Sequence, residues 1–147
     1  MDALAGKLDD IDALWDSPQS FHDWRVAVKH IDKLNGSQRV VLMGHSLGAN
    51  SCSLIASETK RDIDLIVSFD AGGWFTSKRS IGANVKHLIN IHSTNWSNWL
   101  GHGKLKPNRK FKGKLQEYKT KASHVAVDNR PELHEIALAA VRGLSDA

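Results

Sequence analysis

The chain has 147 residues, 41% hydrophobic and 24% charged, with one cysteine and a net charge of +4. That is enough for a single domain, residues 1–147, with one real core, and a lone Cys52 excludes an internal disulfide. No apolar run approaches the roughly 18 residues of a membrane span. The N-terminus lacks a basic stretch followed by an apolar one, so no signal peptide is expected and the default location is the cytoplasm.

The first predicted elements are helical. Leu4, Leu8, Ile11 and Leu14/Trp15 recur at spacings of three and four over residues 3–15, and Ser17-Pro18 ends that helix. Phe21, Trp24, Val28, Ile31 and Leu34 repeat the pattern over residues 20–34, with Ser20 and Asp23 as an N-terminal cap and Asn35-Gly36 as the stop.

Val40-Val41-Leu42-Met43 then reads as a buried strand, followed by Gly44-His45-Ser46-Leu47-Gly48 and a small-residue helix from Ala49 to Ser57. Strand, G-x-S-x-G, helix is the context of a nucleophile elbow. The serine must sit at the tip of a tight turn, which brings the residues two before and two after it together. Glycines at 44 and 48 leave room for that approach. The turn aims the Leu47 N–H at the place where an oxyanion would form.

Ile63 to Phe69 is a second strand ending in Asp70, and Ala71-Gly72-Gly73 loosens the chain after it. Val85 to His92 is a third strand, with no full helix in the link before it. Residues 94–123 read mostly as loop, with a strand or hairpin between Lys110 and Lys119. Val125 to Val127 reads as a short extended piece. Asn129-x-x-Glu132 resembles a capping box with Pro131 in the first turn, opening a last helix that runs to about Arg142. Strands separated by helices predict a mainly parallel sheet with helices on both faces, an α/β three-layer sandwich.

A serine hydroxyl needs a general base and a group that orients that base. Asp70 follows a strand that would lie beside the elbow strand, at the edge where ligands bind in parallel sheets. Its plain alternative is a turn-initiating residue. Asp62 and Asp64 fall at the opposite end. After the third strand, His92-Ser93-Thr94-Asn95 offers no carboxylate, only Asn95 as a weak substitute. His124 is the best base, in the loop before the last helix, with His102 as runner-up. His22 and His30 precede the elbow, His87 and His92 sit on a strand, and His134 on the last helix. His45 would project away from the serine and pack the elbow, and Asp128 would cap or brace the last helix.

Gly-His-Ser-Leu-Gly-Ala-Asn resembles the elbow of lipase-like and esterase-like α/β-hydrolases, and Ser-His-Val-Ala-Val-Asp-Asn-Arg-Pro-Glu-Leu-His resembles their His loop and final helix. The resemblance implies an ester or thioester hydrolase working through an acyl-enzyme, with Ser46 as nucleophile, His124 as base and Asp70 as its orienter. It implies a small-molecule or lipid ester as substrate and no cofactor. The strands and oxyanion loop that precede the elbow in that family have no counterpart, because this chain opens in a helical pattern. A small or N-terminally truncated version, with an exposed sheet edge that favours a homodimer, follows from that departure. So does a second reading, a hydrolase relic serving as a binding module.

Eight of the 20 basic residues lie between Lys104 and Lys121, against one acid, Glu117. The patch reads as a solvated strand or loop, with nucleic acid or an anionic surface as the sharper alternative. The aromatics Trp74, Phe75, Trp96 and Trp99 read as packing or as a pocket lining. No metal-ligand spacing and no phosphate loop occur.

Overall fold

A computed structural model describes residues 23–72, 80–95 and 103–145, together with Leu4 and Lys7. Its first helix, α1 (Trp24–Ile31), begins with Asp23 at the N-cap and no side-chain cap bond. The expected start at Ser20 lies outside the described residues, as does most of the helix expected over 3–15, although Leu4 is buried. The helix stops short of Leu34, where the N–H groups of Lys33 and Leu34 turn back three residues to the carbonyls of His30 and Ile31, and its C-cap is Asp32. Its carboxylate accepts the Thr59 hydroxyl at 2.5 Å and the Lys60 N–H at 3.0 Å. Those bonds hold the Asp32 carboxyl below its usual range, the Thr59 hydroxyl first and the Lys60 N–H second.

The elbow strand is β1 (Val41–His45), followed by α2 (Leu47–Glu58). Next come β2 (Leu65–Phe69), the two-residue β3 (Ser80–Ile81), β4 (His87–Ser93), the two-residue β5 (Lys106–Pro107) and β6 (Lys114–Thr120). A 3-10 turn at Val127–Asn129 leads into α3 (Pro131–Ser145). The main sheet has the order β1-β2-β4-β6 with every neighbour parallel. β3 and β5 form a separate parallel pair.

Side chains alternate across the sheet. Ile66 and Leu88 pack with Ala49, Cys52, Ile55 and Ala56 of α2, with α1 behind them. Leu65, Val67, Phe69, Ile89 and Ile91 pack on the other face against Leu133, Ala137, Leu138 and Val141 of α3. Helix, sheet and helix make the three-layer α/β arrangement. All five residues of β2 are buried, which is why four of them are apolar and the strand does not alternate, Ser68 being the exception. Burial also pushes the Cys52 thiol up to about 12, leaving it an inert small packing group.

Of the strand or hairpin expected between Lys110 and Lys119, the strand is what forms: β6 is a fourth parallel strand, paired from His87↔Lys114 to Ser93↔Thr120. As a strand at one edge of the sheet it carries charged residues and no apolar run. Residues 125–127 are not extended, because the Ala126 N–H turns back to the Ser123 carbonyl and the Asn129 N–H to that of Ala126. Asn129 forms no capping box. The Arg130 carbonyl accepts the N–H groups of Leu133 and His134, so the cap lies one residue later, with Pro131 first in the helix. Among the described residues no helix is long and apolar enough to cross a membrane.

Candidate active site

Parallel pairing brings the C-terminal ends of β1, β2 and β4 to one edge, and the candidate site is built there. Ser46 follows β1 directly, with φ 55° and ψ −121°, a conformation that costs a non-glycine residue on the order of 1–3 kcal/mol. Its N–H donates to the Phe69 carbonyl at 3.0 Å, and its carbonyl accepts the Ala49 N–H at 3.1 Å. The bend is therefore held from both the sheet and the helix. A Cβ on Gly44 would lie 2.5 Å from the carbonyl carbon and oxygen of Gly48, so that glycine is sterically required. The second glycine is different: a Cβ on Gly48 would meet nothing within 4 Å. The close approach is that of the Gly48 backbone to residue 44, and residue 48 itself has room for a side chain. Leu47 opens α2, so its N–H has no intrahelical acceptor.

Asp70 is fully buried and also has positive φ, 45°. Its N–H donates to the Ile91 carbonyl at 2.7 Å. One carboxylate oxygen, Oδ1, accepts the Ser93 N–H at 3.0 Å. The other, Oδ2, lies 2.7 Å from His124 Nδ1. The far side of the same ring, Nε2, lies 2.8 Å from Ser46 Oγ. A carboxylate only accepts, so it places the proton on Nδ1 and leaves the Nε2 lone pair facing the serine hydroxyl. Ser46, Asp70 and His124, 78 residues apart at the extremes, are thus connected in series. A proton leaving Ser46 has an acceptor in place, and the imidazolium it would create is faced by a buried carboxylate.

Several neighbours went unread in the sequence. Gly72 lies against Ser46: a Cβ there would stand 2.6 Å from its Oγ and 3.4 Å from His124 Cε1. Its carbonyl accepts the side-chain amide of the buried Asn50, one turn into α2. Ser93 ties β4 to the His124 loop, since its hydroxyl donates to the Ala122 carbonyl at 2.6 Å. Asn90, at 1% exposure, brackets Leu105 by accepting its N–H and donating to its carbonyl, both at 3.0 Å. None of these had a readable signal. A glycine, two asparagines and a serine acquire these positions only when β2, β4 and the segment after Gly103 are brought together.

The remaining candidates lie elsewhere. Asp62 and Asp64 sit at the opposite end of the strands, the latter bound to Val40 and Lys86. Asn95 donates its N–H to Ser93 Oγ and does not replace Asp70. His92 is held below its ordinary value by burial and by the nearby Lys104. His87 pairs with Gln116, and burial lowers it as well. His134 is buried and donates to the Asp128 carbonyl at 2.7 Å. His45 packs against the His124 ring. His22, Trp74, Phe75, Trp96, Trp99 and His102 lie outside the described residues. Among the described residues no three His, Cys, Asp or Glu side chains are grouped to hold a metal ion.

Comparison with protein-family models, with curated proteins and with solved structures gave no match for this chain.

Proposed function

We propose that this chain is a serine hydrolase of carboxylic esters, of the lipase-like and esterase-like α/β-hydrolase type. The observation that carries the reading is the continuous series Asp70–His124–Ser46, at 2.7 and 2.8 Å, on a strained serine at the strand-to-helix bend. In this reading Ser46 Oγ attacks the ester carbonyl as its proton passes to His124 Nε2. The tetrahedral oxyanion is met by the Leu47 N–H at the start of α2. Collapse expels the alcohol, which takes the proton from His124, and leaves Ser46 acylated. Water, deprotonated by the same imidazole, attacks the acyl-enzyme and releases the acid. Asp70 stays ionised, holding the ring in the required tautomer and facing the transient imidazolium. The substrate is a small-molecule or lipid ester, and protein groups alone supply the steps.

The test is covalent. A fluorophosphonate labels Ser46 in the folded protein, p-nitrophenyl butyrate is turned over, and Ser46→Ala loses both, by about 10⁴-fold or more. A folded protein whose Ser46 neither labels nor turns over ester would overturn the enzyme and leave a binding module.

A further inference from the structure

The elbow contains a second imidazole, and triad chemistry has no use for it. His45, the last residue of β1, directly precedes Ser46. Its Nε2 lies 2.7 Å from the main-chain carbonyl oxygen of His124. A carbonyl accepts only, so Nε2 carries the proton and donates it. The ring also leans on the imidazole of His124, with centroids 4.9 Å apart and planes at 38°. The other nitrogen, Nδ1, faces Asp128 Oδ1 at 3.8 Å. Asp128 is buried, and its own carbonyl accepts from His134.

These contacts close a ring. The His45 side chain grips the main chain of the residue whose side chain is bonded to Ser46, the neighbour of His45. On its other side the same loop is gripped once more, at Ala122, by the Ser93 hydroxyl. His124 itself sits in an irregular turn beside Val125, which is 74% exposed and gives that turn little core packing. A regular element would fix the backbone of the base by its ladder of hydrogen bonds. Here one backbone bond closes the turn, from the Ala126 N–H to the Ser123 carbonyl, and the side chains of His45 and Ser93 tie it to the sheet.

We infer that His45 is a positioning residue for His124, coupling the backbone of the base to the elbow so that the two move as one unit. The inference rests on the hydrolase reading and adds a role for a residue that reading leaves idle. Proton transfer requires Nε2 to stay within hydrogen-bond reach of Oγ, and misplacement by about 1 Å can cost about 10²-fold in rate. Without the clamp the imidazole keeps its carboxylate partner while the loop carrying it gains freedom. The loss belongs to kcat and leaves KM unmoved.

The experiment compares His45→Leu, which fills similar space without a donor, with His45→Gln, whose amide nitrogen reaches about as far as Nε2. Fluorophosphonate labelling rate, kcat and KM for p-nitrophenyl butyrate, and Tm are measured for each. In His45→Leu, labelling rate and kcat fall by about 10–100-fold while KM stays within about twofold. His45→Gln recovers most of that loss, to within about fivefold of wild type, at a similar Tm. A His45→Leu protein as fast as wild type overturns the inference. So does an equal loss in both variants that tracks a fall in Tm, the mark of simple packing. A wild-type protein that does not label overturns the hydrolase reading and this inference with it, whereas wild-type labelling with an unaffected His45→Leu removes this inference alone.

Discussion

At the N-terminal ends of β1, β2 and β4, charged groups satisfy backbone and one another. The Asp64 carboxylate accepts the Val40 N–H and the Lys86 ammonium, both at 2.9 Å, with Arg39 at 3.8 Å. Arg61 donates to the carbonyls of Leu34, Asn35 and Gln38, locking the turn before β1. At the C-terminal ends the polar groups are connected in series from carboxylate to imidazole to hydroxyl. Ser46 and Asp70 are the only non-glycine residues with positive φ among those described, and both are members of that series. Backbone strain has been confined to the end where a reaction is proposed, and ordinary stabilising bonds to the other. A tight bend that presents a hydroxyl is costly, so it survives where surrounding structure over-determines it.

This contrast can be broken most severely at Asp70. Asp70→Asn keeps a residue type that tolerates positive φ, so the fold is retained. The amide no longer enforces the tautomer of His124, and kcat for p-nitrophenyl butyrate falls by about 10⁴-fold with little change in Tm. Steady-state kinetics beside a thermal melt decide it.

The elbow glycines sharpen the comparison, because crowding falls on one of them only. Gly44→Ala drives a Cβ into the Gly48 backbone and destabilises the protein by about 3 kcal/mol or more in urea unfolding. Gly48→Ala enters open space in a helix and stabilises by about 0.5–1 kcal/mol. Equal losses at the two positions would show that the motif needs both glycines for the same reason.

At the far end the effect falls on stability alone. Asp64→Asn removes the charge that Lys86 and Arg39 face and costs about 1–2 kcal/mol of stability, with kcat per folded molecule unchanged. Burial alone would raise the Asp64 carboxyl. The Val40 N–H, Lys86 and Arg39 outweigh burial and hold it below the ordinary value of 3.8. A depressed carboxyl contributes stability that is fully present above that ordinary value and is lost as pH falls through the folded one. The gap between wild type and Asp64→Asn therefore closes on acidification below 3.8, which urea unfolding across pH measures.

How far each element could be read follows its surroundings. β1, β2 and β4 lie next to apolar layers, so the runs 40–43, 63–69 and 85–92 announce them. β6 has an exposed side and opposes charge with charge, Lys104 to Glu117 at 3.1 Å, so its residues look like loop. The pair β3 and β5 contributes two residues from each strand, too few for any period to register. The bend at Ser46 was legible because close packing at Gly44 and a helix immediately after it leave a local pattern. Asp70 and His124 were legible by place: one ends a buried strand, the other precedes the last helix.

From sequence alone came the three apolar strands, the bend between β1 and α2, and the three residues that could share a proton. Tertiary structure decided what surrounds them: Gly72 against the hydroxyl, Ser93 behind the carboxylate and under the loop, His45 on the His124 carbonyl. Those partners lie 23 to 79 residues away in chain number from what they touch. A periodic pattern reports on the nearest few residues and on which face is buried. It carries no information about which polar atom will stand opposite another once separate strands are set side by side.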